Sequence, residues 1–300
     1  MNIILDTDIG DDIDDAYALA LICASPELNL LGVTTVFGNV AARARQARTV
    51  LKVAGEKFAA IPVAAGCGAS LSSRPIAGGA GGTAAYLSDA VPSQDASCLP
   101  EDQLATLDSR HGVQFLLDNL ADGTTIPVTI GAMTNLAVAL TMERRLAQRI
   151  PRIVAMAGEF KVPMAEWNVL CDPEAAAIVC DSGIPIDFIT WTAGRTVSFG
   201  PEHLARLRAS SRPMAKLLAH ATECWGPDRL PALYDPLAVA TLVAPHLVEW
   251  RRGTVTVELQ GASTYGYTGF IPSDDGPHRI VWEVDREAAL DFYLDRVLAL

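Results

Sequence analysis

The chain of 300 residues contains no uninterrupted apolar run approaching the ~18 residues that a membrane-spanning helix needs, so no transmembrane segment is expected. An acid appears by residue 6, directly behind a strand-like start, which leaves no place for the charged and apolar regions of a signal peptide. Cysteine is sparse. The six, at positions 23, 67, 98, 171, 180 and 224, form no C-x-x-C pair and sit in apolar contexts. They read as reduced core thiols of a cytoplasmic protein. Basic residues are also short, 23 Lys and Arg against 35 Asp and Glu, for a formal net charge of -12. That balance argues against a polyanion-binding surface, so neither nucleic acid nor an anionic membrane is expected as a partner. Internal repeats and linkers are missing as well. Half the residues are hydrophobic, enough for one large core, and residues 1–300 are expected to form a single domain.

What the chain has in excess is aspartate at its start. Ile3-Ile4-Leu5-Asp6-Thr7-Asp8-Ile9-Gly10-Asp11-Asp12-Ile13-Asp14-Asp15 places six aspartates within ten residues behind a short apolar run. Ile3 to Leu5 read as a buried strand and Ala16 to Leu21 as the body of a helix, so the acids occupy the turn between them. Open α/β sheets bind ligands at such turns. A helix N-terminus stabilises an anion by roughly 0.3–1 kcal/mol, and crowded carboxylates repel one another by comparable amounts. A cation resolves that conflict, and an oxygen-only donor set without His or Cys points to a hard ion, Ca²⁺ or Mg²⁺. One or two of these acids could simply cap the helix; six exceed what capping needs.

Strand and helix signals then alternate. Leu28 to Val36 reads as a second buried strand, ending in Phe37-Gly38-Asn39, where Asn39 is either an ordinary turn residue or a polar group facing the acidic crevice. Val40 to Ala54 is helical in pattern, with Arg43, Arg45 and Arg48 as a solvated face and Gly55 as its stop. Ile61 to Ala65 gives a third strand. Residues 66–108 change character, carrying Gly78-Gly79-Ala80-Gly81-Gly82, and read as an irregular excursion, either a lid at the mouth of the site or a plain linker. No Gly-Lys-Ser/Thr follows, so it is not a P-loop. Further strands are expected at Ile126–Ile130, Ile153–Met156 and Ile184–Thr190, with helices near Ser109–Leu120, from Leu136, from Pro173 and onward to Trp225. Asp172 and Asp235 each precede a proline that opens a helix, the position of an N-cap. Alternating segments at Gly253–Leu259 and Arg279–Val284 precede a closing helix from Arg286 to Leu300. Repeated βα units imply an open, mostly parallel, doubly wound Rossmann-like α/β sheet covered by helices on both faces, with extra C-terminal helices and strands.

Taken together and in order, the Asp-Thr-Asp-x-Gly turn, Val36-Phe37-Gly38-Asn39, Ile130-Gly131-Ala132-Met133-Thr134-Asn135, Ala165-Glu166-Trp167-Asn168 with Asp172-Pro173-Glu174, and Asp235-Pro236 resemble the calcium-dependent nucleoside hydrolases of the inosine/uridine-preferring type. The likeness covers nearly the whole chain. It implies hydrolysis of the N-glycosidic bond of a ribonucleoside to free base and ribose, with Ca²⁺ as cofactor and a homo-oligomer, dimer or tetramer, as the assembly. By the same resemblance Asp8, Asp15 and Asp235 are the carboxylate ligands of the ion and the Ile130 carbonyl is a further one. Asp8 is also the general base. Asp14, Asn39, Glu166 and Asn168 fall on positions that hold the sugar.

Three departures from the family pattern are visible. Asp14-Asp15 follow Gly10 two residues later than usual, which makes Asp12, three positions before Asp15, a candidate to supplement the metal shell. Tyr234 stands where many members carry the His that protonates the departing base. Tyr234 is then either a hydrogen-bond donor to the base or a packing residue, and Trp225 and Trp167 are candidates to stack on the base. The turn before Ala165 is shorter and lacks an Asn that contacts the sugar. Two rival readings remain open at this level: a non-catalytic metal-dependent ribose- or nucleoside-binding protein, and a haloacid-dehalogenase-like phosphohydrolase with Asp6 as nucleophile.

Overall fold

The computed structural model describes residues 1–71, 99–226 and 228–300; the glycine cluster at 78–82, most of the expected excursion, and Cys98 lie outside them. Strand β1 (Asn2–Thr7) is buried from Ile3 onward, and its apolar run has no alternation because both faces of the sheet are covered. It pairs in parallel with β2 (Asn29–Thr35) on one side and β4 (Ile126–Thr129) on the other. With β3 (Val63–Ala65), β5 (Ile153–Met156), β6 (Ile186–Ile189), β7 (Val248–Val257), β8 (Thr268–Pro272) and β9 (His278–Val284), the sheet runs β3-β2-β1-β4-β5-β6-β9-β7-β8. The strands from β3 through β9 in that order are parallel, and β7 is antiparallel to both β9 and β8. The expected doubly wound architecture is therefore present. Its strand order reverses between β1 and β4, which opens a crevice at their carboxyl ends.

Helix α1 (Asp14–Cys23) follows β1, and every one of its residues is buried. Such a helix needs no polar face, because it lies inside the layer rather than on it. It packs against α11 (Tyr234–Val243), and that contact brings the two ends of the chain's acidic set together. The same layer holds a ring cluster in which Tyr17 stacks on Tyr293 at 5.5 Å between centroids and donates or accepts a 2.7 Å bond with Thr222. Helices α2 (Val40–Ala54), α3 (Glu56–Ala59), α4 (Gly112–Leu120), α5 (Thr134–Met142), α6 (Trp167–Cys171) and α7 (Pro173–Cys180) come next in the chain. The helical stretch leading to Trp225 divides into α8 (Trp191–Thr196), α9 (Pro201–Ala209) and α10 (Pro213–Trp225), and α12 (Arg286–Val297) closes the fold.

Several expectations are corrected. The alternating segment placed at Gly253–Leu259 belongs to a strand that begins at Val248, and β8 has no counterpart in the sequence reading. Arg43, Arg45 and Arg48 are not a solvated face. Arg43 is buried, Arg45 pairs with Glu101, and Arg48 donates to the carbonyls of Ile61 and Ala59 at 2.7 and 2.6 Å. Of the cysteines, Cys23, Cys171 and Cys180 are buried, whereas Cys67 is half-buried and Cys224 is exposed rather than in the core.

Candidate active site

The crevice between β1 and β4 holds a cavity of about 330 Å³. Its acidic floor comes from two directions: Asp8 from the end of β1 with Asp14 and Asp15 from the first turn of α1, and Asp235 from the first turn of α11. Carboxylate oxygens of Asp14, Asp15 and Asp235 lie within 4.8 Å of one another, and all three residues are buried. Asp14 Oδ2 accepts from the Asp235 amide at 3.3 Å, and the Asp15 carboxylate accepts from the Thr7 hydroxyl. Burial and then the neighbouring carboxylates push Asp14, Asp15 and Asp235 well above the usual acid range. Asp8 is pushed up to about 7, chiefly by burial, against the pull of Arg43. An oxygen-only set of crowded, desolvated acids is the donor chemistry that a hard divalent cation satisfies. These residues fit such an ion.

Asp235 occupies the first turn of α11 with Leu233 at the cap position, so the N-cap that its Asp-Pro context suggested is not its role. Asp172 does cap α7, accepting from Ala175 at 3.1 Å. Asp8 lines the cavity but stands outside the converging trio, and Asp14, expected to serve the sugar alone, is inside it. Asp12 also lines the cavity and is exposed; its carboxylate accepts from the next residue's amide at 2.6 Å and does not join the trio. Asp11 pairs with Arg43 at 2.6 Å. Asp6 is buried away from the cavity wall, accepting from Thr34 at 2.6 Å and Asn135 at 2.8 Å, which makes it a structural acid.

The walls are built from the ends of β4 and β5. The Ile130 carbonyl accepts from Asn168 Nδ2 at 2.9 Å, and the same nitrogen reaches the Met156 carbonyl at 3.0 Å, so Asn168 ties the two strand ends together. Glu166, buried, caps α6: it accepts from the amides of Asn168, Val169 and Gly158 at 2.8, 3.2 and 3.0 Å. Glu166, Asn168 and Ile130 all line the cavity. Asn39 does not. It caps α2 through a 3.1 Å bond from Ala42, so its expected contact with the sugar is not where the structure places it.

Aromatic side chains close the upper part. Trp167, Trp225 and Tyr234 line the cavity as expected, and Trp191, which the sequence reading missed, stacks against Tyr234 at 6.4 Å. Arg43 was missed too. Its guanidinium donates to the carbonyls of Asp8, Ile9 and Phe37 and to Asp11, stapling the acidic turn to the end of β2. Glu159, buried at the end of β5, accepts from the Lys161, Val162 and Thr192 amides at 2.6, 3.1 and 2.7 Å and fixes the loops behind Trp191. Its signal was an acid at a strand exit, the one that had been followed at β1.

A sequence model of the inosine-uridine preferring nucleoside hydrolases matches residues 3–291. The chain belongs to this family. It is 33% identical to the inosine-uridine preferring nucleoside hydrolase of Leishmania major over 281 residues, covering 89% of this chain and 86% of that protein. A pyrimidine-specific ribonucleoside hydrolase of Photobacterium profundum is 32% identical, with 98% of each chain covered. Among solved structures, a plant nucleoside hydrolase superposes with a TM-score of 0.80 at 26% identity, over 100% of this chain and 99% of that one. As a family member, the chain is an enzyme that hydrolyses N-ribosyl bonds of ribonucleosides. Membership decides against the phosphohydrolase and binding-protein readings. The position of Asp6 agrees, since a nucleophilic aspartate would have to face the cavity.

Proposed function

We propose that this nucleoside hydrolase uses Ca²⁺, with Asp15 and Asp235 as ligands, Asp8 beside them, and Asp14 shared between the ion and the ribose hydroxyls. The convergence of Asp14, Asp15 and Asp235 carries this reading. When bound there, the ion supplies a Lewis acid that polarises a water and grips the sugar diol. Asp8, on the cavity floor beside the converging acids, takes the proton of the attacking water. As the C–N bond lengthens, positive charge grows on the anomeric carbon and ring oxygen, and the buried carboxylates oppose little solvent screening to it. Glu166 and Asn168 shape the sugar pocket, with the Ile130 carbonyl as a further oxygen donor.

On the side of the base, Trp225 and Trp167 offer flat faces and Tyr234 offers a hydroxyl to the departing nitrogen heterocycle. Positioning of the sugar by several groups before attack is worth several kcal/mol, within the ~7–11 kcal/mol available in ideal cases. The unbridged thiols of Cys23, Cys67 and Cys180 support a reducing, cytoplasmic setting. The test is release of reducing sugar from purine and pyrimidine ribonucleosides with and without chelator, followed by restoration with Ca²⁺ or Mg²⁺. Activity that survives complete chelation sinks the metal assignment. Asp235→Asn is expected to lose at least a hundredfold in kcat together with the thermal stabilisation that added Ca²⁺ gives the parent.

A further inference from the structure

Beside the nucleoside pocket lies a second cavity of about 280 Å³, sharing with it Asp12, Trp225, Arg229 and Tyr234 and adding Arg195. Its chemistry is opposite to that of the acidic floor. We propose that Arg195 and Arg229 form an oxyanion subsite at the mouth of the nucleoside pocket, which takes a carboxylate or phosphate carried by the substrate.

Both side chains are exposed and reach this cavity, and neither forms an ion pair with a described carboxylate, in contrast to Arg43 with Asp11 or Arg279 with Asp187. Each is instead held by an aromatic residue. The Arg229 guanidinium lies 4.4 Å from the centroid of the Trp225 ring, a contact that positions the planar fork and leaves its N–H groups free to donate. Arg195 lines the cavity beside Tyr234, whose hydroxyl its charge acts on, and most of its five-donor group stays open. Guanidinium has no acceptor, so what completes two such groups is an oxygen-rich anion bound by paired N–H···O contacts. The acidic residues nearest this mouth are Asp12, which feels the Arg229 charge, and Asp228 in the same loop.

The electrostatic context gives the pair a purpose. A chain of net charge -12 with buried aspartates on the cavity floor repels an anionic substrate, and its field is focused in a cleft of this kind. A neutral nucleoside needs no correction of that field. A substrate with its own negative charge does, and two cations set just outside the acids, beyond Trp225 and Tyr234, supply it locally. This inference rests on the nucleoside-hydrolase reading of the site, because that reading orients the sugar toward the aspartates and leaves the rest of the ligand facing the arginines.

The carboxylate and phosphate sources are separated by a matched set: uridine, orotidine, which adds a carboxylate to the base, and uridine 5′-monophosphate, which adds a phosphate to the sugar. Binding of each to the Ca²⁺-loaded full chain is measured by calorimetry, for the parent and for Arg229→Met and Arg195→Met, with hydrolysis assayed in parallel. The expected result is that one of the two anionic ligands binds at least tenfold more tightly than uridine, that Arg229→Met removes most of this advantage, and that added salt erodes it. Whichever anion is favoured identifies the source. Equal or weaker binding of both anions relative to uridine overturns the subsite, as does a preference that survives both substitutions. Absence of sugar release from every ligand that binds would count against the hydrolase reading instead, and the binding ratios would still judge the arginines.

Discussion

Gly131 lies directly against Asp8. A Cβ added at Gly131 would stand 2.9 Å from the Asp8 amide nitrogen and 2.9 Å from its Oδ1, with Val36 Cγ1 at 2.9 Å on the other side. The side chain at 131 is therefore absent because β1 and β4 end within contact of each other at the crevice, and the carboxylate assigned as general base occupies the space. Neither Asp8 nor Val36 can yield, since both are buried in a packed layer. Gly131→Ala is expected to displace Asp8 by a few tenths of an ångström to an ångström. A shift of that size can cost about a hundredfold in kcat with a smaller change in KM. Steady-state kinetics on the Ala variant, with circular dichroism to verify the fold, checks this; unchanged kcat would mean that Asp8 tolerates displacement and is not the base.

Arg43 holds the acidic turn by bonds to three carbonyls and the Asp11 carboxylate, all from one buried guanidinium. Arg43→Met keeps the aliphatic stem but leaves the Asp8, Ile9 and Phe37 carbonyls without this donor and removes the guanidinium from the half-buried Asp11. Losing a buried charged donor from such contacts typically costs about 1.5–3 kcal/mol. Urea unfolding is expected to show a loss of that order. Arg43→Lys retains the charge without the planar fork and should recover only part of it. A loss below ~1 kcal/mol for Arg43→Met would show that the turn is held by other contacts.

The sheet was legible because each buried parallel strand is a short apolar run closed by a turn, and the hydrophobic pattern sets it without reference to neighbours. The acidic turn was legible for the opposite reason: six aspartates in ten residues have no structural use beyond one or two caps. Arg43 was not, because its burial depends on four acceptors contributed by two other strand ends, and a helix face of arginines looks solvated in one dimension. Asn39 was ambiguous since capping α2, which it does, and facing the crevice call for the same residue type after the same strand. β8 was missed because its residues are mostly exposed, so period-two burial does not mark it. The sharing of the metal trio by Asp14 depends on α11 meeting α1, a contact between residues more than two hundred positions apart.

His278 at the start of β9 is buried, packs edge-on against Phe188 at 5.8 Å, and its Nδ1 has no hydrogen-bond partner among the described residues. Burial holds its pKa below the ordinary 6.5, opposed by a backbone carbonyl bond at Cys180 and the charge of Asp181. The unfolded chain therefore takes up this proton at a higher pH than the folded one. The stability contribution of neutral His278 is complete above about pH 6.5 and falls as pH drops below that value toward the lowered folded pKa. Chemical denaturation between pH 7.5 and pH 5 should show the stability of the parent falling relative to that of His278→Gln as the pH drops. Parallel curves for the two proteins would remove His278 from the acid limb.

Tyr234 is positioned from three sides. Trp191 stacks on it, the Arg195 guanidinium lies on the same cavity wall with its charge acting on the hydroxyl, and Gly194 passes so close that a Cβ there would lie 2.4 Å from the Tyr234 ring and 2.7 Å from its Cα. The donor role assigned to it makes a prediction that depends on the leaving group. Tyr234→Phe removes the hydroxyl and keeps the ring, so sugar binding and the stack on Trp191 persist. With inosine or uridine, whose bases depart poorly without a hydrogen bond, kcat is expected to fall about a hundredfold, the lower range for general acid catalysis. With 4-nitrophenyl riboside, whose leaving group needs no proton, the same variant should keep kcat within about a factor of three of the parent. Equal losses on both substrates would mean that the hydroxyl organises the wall rather than serving the base, and no loss on either would leave Tyr234 as a packing residue and departure of the base to the aromatic faces of Trp225 and Trp167.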